Sequence, residues 1–164
     1  MLIVADSSAL IALAICNCID TFDKVFDKVN VPQAVFDEVI IPGKPEAEIL
    51  RNYLEGKIVN IDLAGFVIDA GGLGRGELEA MALYKKLQAD FLLIDDKRAR
   101  KVARLNNIEI IGSQGVLLFA KQKGLIKKIK PLLDKLRTSD IHISQRLIKK
   151  TLLLANETKC EVRK

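Results

Sequence analysis

Met1-Leu2-Ile3-Val4-Ala5-Asp6-Ser7-Ser8-Ala9-Leu10-Ile11-Ala12-Leu13-Ala14 is the stretch that decides the fold. Its first five residues are a continuous apolar run, the pattern of a strand buried on both faces, as central strands of parallel sheets are. The run stops at a carboxylate and two hydroxyls that can cap a helix, and the chain then continues apolar and helix-forming. A second strand of this kind, Phe91-Leu92-Leu93-Ile94, ends at Asp95-Asp96 and leads into a basic amphipathic helix over residues 97–105. Buried strands that turn directly into helices are the units of an α/β fold with a mostly parallel sheet.

Between and beyond these stretches the same reasoning fills in the chain. Ile19, Phe22, Val25, Phe26 and Val29 recur at helical spacing and predict a helix over 19–29, bounded by Val31-Pro32. Pro32 suits the first position of a helix bearing Val35, Phe36, Val39 and Ile40. Pro42, Gly43 and Pro45 break the chain before a helix over 46–54 and a short strand over 58–61. Residues 65–76 carry five glycines and are expected to form a loop before a helix over 77–87. A strand over 108–111 and a helix over 113–121, capped by Ser113, follow. Past Gly124 only helices are indicated, over 125–136 and over 144–155 with Ser144 as cap. The expected organisation is a core over 1–125, a helical C-terminal extension of the same domain over 126–156, and a tail over 157–164 that frays.

The 164 residues, 49% hydrophobic and 29% charged, have the balance of one globular domain. The longest stretch without a charge, Ser7 to Ile19, is shorter than the ~20 apolar residues of a membrane helix. No basic segment precedes the first apolar run, so a cytoplasmic location is expected. Cys16, Cys18 and Cys160, with the lone His142, are too few and too scattered for a zinc site, and free thiols and a structural His142 are expected. Charge is segregated: residues 1–120 hold 13 basic against 17 acidic side chains, residues 121–164 hold 13 against 4. Such a chain suits a cation site beside a polyanion-binding surface, although charge alone favours a merely solvated basic face.

Sites in open α/β sheets form outside the carboxyl ends of the strands. Two of the best strands here end in carboxylates, Asp6 and Asp95-Asp96, and Glu38 and Glu77 line or open helices. A single Asp after a strand is best read as a helix cap; capping is a poorer account of all of these acids together. Clustered carboxylates repel and raise one another's pKa, and a hard divalent cation such as Mg²⁺ or Mn²⁺ offsets that repulsion. Such a cation can acidify water and stabilise the leaving oxygen of a phosphodiester, which is nuclease chemistry.

Five segments, in order, carry a resemblance: 4–11 around Asp6; Val31-Pro32 with Val35 and Glu38; Gly74-Arg75-Gly76-Glu77-Leu78-Glu79-Ala80; Leu93-Ile94-Asp95-Asp96 with Ala99-Arg100; and Ile111-Gly112-Ser113-Gln114-Gly115-Val116-Leu117. They resemble the PIN-domain ribonucleases, and within them the small prokaryotic branch related to VapC toxins. The resemblance implies a PIN-like fold and a Mg²⁺- or Mn²⁺-dependent endoribonuclease in which Asp6, Glu38, Glu77 and Asp96 are the four acids, with Asp95 kept as an alternative for the fourth. Asp6, Glu77 and Asp96 would be metal ligands, Glu38 or a metal-bound hydroxide the base, and Ser7 and Ser113 supporting polar residues. A homodimer and a small antitoxin are implied as partners. A non-catalytic RNA-binding or scaffolding module of the same fold is the competing reading. A receiver-type signalling domain would want its paired acids after the first strand, whereas here the pair comes late.

Other features receive plainer readings. Asp37 sits one residue from Glu38 and Glu79 two from Glu77, each turned away from its neighbouring candidate ligand round the helix, and both are expected to be solvated. The glycines at 71, 72, 74 and 76 lack the Gly-Lys-Ser/Thr ending of a phosphate loop. Lys97, Arg98, Arg100 and Lys101, with Arg104, begin directly after the second pair of acids and are the candidates for contacts to RNA phosphates.

Overall fold

The computed structural model describes residues 1–65 and 72–158. In chain order it contains β1 (Leu2–Ala5), α1 (Ser7–Ile15), α2 (Ile19–Val25), β2 (Lys28–Pro32), α3 (Gln33–Val39), α4 (Ala47–Leu54) and β3 (Ile58–Val59). A single 3-10 turn at Leu63–Gly65 precedes α5 (Arg75–Leu87), β4 (Phe91–Leu93), α6 (Lys97–Leu105), β5 (Ile110–Ile111), α7 (Ser113–Gln122), α8 (Lys130–Arg137) and α9 (Gln145–Leu154). The strands form one five-stranded parallel sheet in the order β3-β2-β1-β4-β5.

The apolar run at the start of the chain becomes the central strand. Ile3, Val4 and Ala5 are fully buried, with β2 on one side in the register Leu2↔Lys28 and β4 on the other in the register Ile3↔Phe91. The chain builds outward from β1 to β2 and β3, then crosses back and builds β4 and β5 on the other side. The order therefore reverses between β1 and β4, and the crevice outside the carboxyl ends at such a reversal is where open α/β sheets bind ligands. Asp6 stands at that point, its backbone N–H donating to Leu93 O at 2.9 Å.

On the opposite edge of the sheet, α4, α5 and α6 each end at a left-handed residue before the next strand: Gly56 (φ 77°), Gln88 (φ 50°) and Asn107 (φ 56°). Helices cover the sheet, and among the described residues none is long and apolar enough to cross a membrane.

Several elements depart from the sequence expectations. The helix expected over 19–29 ends at Val25, where Phe26 turns to extended backbone (φ −119°, ψ 140°), and Val29 and Val31 belong to β2. Val29 falls at helical spacing from Val25 and Phe26, but it pairs with Ile3 of β1 and is buried as a strand residue, a tertiary preference stronger than local periodicity. The helix expected over 125–136 starts five residues later at Lys130. Gly124 (φ 73°) ends the preceding turn, and Pro131 opens α8, where its missing N–H costs nothing. α5 begins at Arg75 rather than Glu77, so Gly76 is helical; residues 66–71 of the glycine-rich segment, with Gly71, lie outside the described residues. Ser113 does not cap α7, whose cap position is Gly112, whereas Ser144 does cap α9, accepting the Leu147 N–H at 3.2 Å.

The expectation of a tail that frays from residue 157 does not hold for Glu157 itself. Its carboxylate accepts hydrogen bonds from the backbone N–H groups of Ile129 (2.6 Å) and Lys130 (2.8 Å) and from Lys121 Nζ (2.6 Å), tying the end of the chain to the start of α8 and the end of α7. Residues 159–164, with Cys160, lie outside the described residues. Cys16 and Cys18 are buried free thiols, and burial pushes the Cys16 thiol up to about 12, which leaves it unreactive.

Candidate acidic site

Asp6 occupies the cap position of α1, yet its side chain makes no capping hydrogen bond. Oδ2 accepts from Ser8 Oγ at 3.2 Å, while Oδ1 is buried with no hydrogen-bond partner. The residue is only 2% exposed. Burial is the main reason its pKa is pushed up to about 6; the Ser7 backbone N–H pulls it down, and the charges of Glu77 and Glu38 push it further up. A buried carboxylate with one orphaned oxygen and two acidic neighbours is costly by itself, since each unsatisfied buried polar atom costs about 1–3 kcal/mol. A hard cation would relieve both the missing partner and the repulsion.

The two neighbours come from different helices. Glu38, on α3, is exposed, and its carboxylate packs against the bare Cα of Gly76, where a Cβ would overlap Glu38 Oε1. Glu77 lies in the first turn of α5, half-buried, with Oε2 accepting the Gly74 N–H at 2.9 Å. One absent side chain thus lets α3 and α5 bring two acids toward Asp6.

The acids after β4 separate into two environments. Asp95 is half-buried and holds Ser113 twice, Oδ1 accepting its backbone N–H at 2.7 Å and Oδ2 its hydroxyl at 2.6 Å. Asp96 is exposed and caps α6, Oδ1 accepting the Ala99 N–H at 2.8 Å. Capping therefore accounts for Asp96 and not for Asp6. Asp6, Glu38 and Glu77 interact through their charges, but among the described residues no three His, Cys, Asp or Glu side chains are gathered closely enough to hold a metal ion.

The basic residues of α6 also divide. Lys97 and Lys101 are exposed. The Arg98 guanidinium lies against Gly72. Arg100 is turned inward, Nη1 donating to Ile94 O at 2.9 Å, and burial, aided by Arg104, draws its pKa down while Asp95 opposes this. Through that bond Arg100 supports the turn that carries Asp95 and Asp96.

Glu79 corrects the expectation of a solvated side chain, being 4% exposed. Its Oε2 accepts the Ala34 N–H at 3.1 Å and its Oε1 the Arg75 Nε–H at 2.8 Å, so it joins the start of α3 to the first turns of α5. The signal was in the sequence: Gly76, Glu79, Ala80 and Leu83 recur at helical spacing and are all buried. Asp37 is exposed as expected. His142, expected to be structural, is exposed instead, in the segment between α8 and α9.

The strand reversal, the buried carboxylate at its mouth and the acids converging from two helices agree with what comparison finds. No curated protein matches the chain. A family model described as a PIN domain matches residues 2–157, from β1 to the carboxylate that closes the C-terminal helices, and by that match the chain belongs to the PIN-domain family, generally one of nucleases.

Proposed function

We propose that the protein is a divalent-metal-dependent endoribonuclease hydrolysing RNA phosphodiester bonds. The observation that carries this reading is Asp6, which has an orphaned buried oxygen and a raised pKa beside Glu38 and Glu77, at the mouth of the strand reversal.

In this reading Asp6, Glu77 and Asp96, with Asp95 as the alternative to Asp96, would hold Mg²⁺ or Mn²⁺. The bound cation supplies charge neutralisation, acidification of water and polarisation of a phosphate oxygen. Glu38, solvent-facing and seated against Gly76, takes the proton of the attacking water. The Ser7 N–H keeps Asp6 oriented and ionisable, and Ser113 fixes Asp95. Lys97 and Lys101 offer charge to the strand's phosphates.

Residues 1–125 would be the nuclease core and 126–156 its helical extension. The segments Gly74-Arg75-Gly76-Glu77 and Asp95-Asp96-Lys97-Arg98-Ala99-Arg100 support membership of the VapC-related branch, and with it a cytoplasmic toxin-like role, a homodimer and a small antitoxin. The test is incubation of labelled RNAs with purified protein in Mg²⁺, Mn²⁺ or chelator. Cleavage by wild type in metal, none in chelator and none by Asp6→Asn is the expected result; metal-independent cleavage, or full cleavage by Asp6→Asn, overturns the proposal.

A further inference from the structure

A cavity of about 610 Å³ lies beside the acidic site, bounded by α6, β5, the start of α7 and the segment that crosses from α8 into α9. This is within the ~300–1,000 Å³ of small-molecule sites. Asp95 forms its boundary with the acidic site and is the one carboxylate of the lining. That carboxylate is engaged at both oxygens by Ser113. The remaining charged lining residues are cationic. They are Lys97 and Arg104, exposed side chains of α6, and Arg100, which is turned toward Ile94 O; His142 lines the cavity from the α8–α9 segment. From that same segment and the first turn of α9, Ile143 and Leu147 supply an apolar wall.

A cationic rim opposite an apolar wall, in a space of this size, matches the two parts of a nucleotide: a phosphate for Lys97 and Arg104, a base for Ile143 and Leu147. An acidic peptide would use the charge and leave the wall without a specific role. The position is equally informative. The cavity lies at the carboxyl ends of β4 and β5, on the sheet edge that carries Asp6, so a strand with one nucleotide here runs directly past the acids.

We infer that this cavity is a nucleotide subsite, taking one residue of a single-stranded RNA next to the scissile position, and that the C-terminal helices supply half of it. The inference deepens the nuclease reading and rests on it for the identity of the polyanion, but its test does not depend on cleavage. Binding of fluorescein-labelled oligoadenylate is followed by anisotropy in chelator for wild type, Arg104→Ala, Leu147→Ala and Leu147→Glu. Both positions are exposed, so the variants should fold, and circular dichroism melts confirm this. Arg104→Ala is expected to weaken binding several-fold and to reduce the salt slope of log K by roughly 0.7, the loss of one single-strand phosphate contact. Leu147→Glu is expected to weaken binding about tenfold or more. Leu147→Ala should weaken binding of oligoadenylate but not of an abasic oligomer of the same length, because only the base meets the wall.

Unchanged affinity in all three variants overturns the subsite, even if wild type cleaves RNA. Equal losses for oligoadenylate, the abasic oligomer and polyglutamate overturn it as well, since the cavity would then respond to charge alone. A wild type that binds the strand, loses it on these substitutions and never cleaves it overturns the nuclease reading and leaves the subsite standing. Failure of wild type to bind overturns both.

Discussion

Glu38 rests its carboxylate in the space that a side chain on Gly76 would fill, so the separation of two candidate acids is set by a residue that has no side chain at all. Gly76→Ala tests this. Alanine in the first turn of α5 raises helix propensity by roughly 0.5–1 kcal/mol, and the displaced group is the end of a flexible, exposed side chain. The melting temperature should hold or rise while metal-dependent cleavage falls at least tenfold. Cleavage at the wild-type rate would mean that the position of Glu38 is irrelevant to the chemistry.

Asp6 predicts an unusual dependence of stability on pH. Its folded pKa of about 6 exceeds the ordinary 3.8, so the native state binds this proton more tightly than the unfolded chain. The stability it contributes is complete below pH 3.8 and is lost as pH rises through 6. In chelator at pH 8, Asp6→Asn should therefore be more stable than wild type by on the order of 1–3 kcal/mol, and the difference should vanish near pH 4. Added Mn²⁺ should stabilise wild type and not the variant. Urea unfolding at the two pH values checks this, and a difference independent of pH would contradict it.

The two acids after β4 separate by substitution. Asp96→Asn keeps a good cap for α6, so its melt in chelator should match wild type while cleavage is lost. Asp95→Asn removes an acceptor for Ser113 and should cost about 1 kcal/mol even without metal. If Asp96→Asn cleaves normally and Asp95→Asn does not, the fourth acid is Asp95.

Glu79 should behave as a positioning residue. Glu79→Ala leaves the Ala34 N–H and Arg75 without their shared partner, costing roughly 1–3 kcal/mol. Glu79→Gln, which can still accept one of the two bonds, should recover part of this. Cleavage should fall with Glu79→Ala through kcat, since α3 and α5 carry Glu38 and Glu77, while the KM for RNA stays close to wild type. A change confined to KM would place Glu79 in contact with substrate.

The central strand was legible because burial on both faces forces a continuous apolar run, and Leu2-Ile3-Val4-Ala5 shares with Phe91-Leu92-Leu93-Ile94 the same abrupt stop at a carboxylate. β2 was not, because Phe22, Val25 and Val29 share helical spacing across a real helix and a real strand, and only pairing with β1 separates them. Asp6 and Asp96 look alike in sequence, each the last residue between a strand and a helix. One is sealed beneath neighbouring helices and the other caps in solvent, a difference that depends on what packs above them. Glu79 escaped notice for the opposite reason: its spacing placed it on the buried stripe, but a charge there was assumed to seek water.

The left-handed turns at Gly56, Gln88 and Asn107 all lie on the edge of the sheet away from the acids. This gives the molecule a working side and a handle side. A fluorophore, affinity tether or surface linkage placed beside Gly56 would report folding or hold the protein without meeting its substrate, whereas the same group near Lys97 would sit in the path of the RNA.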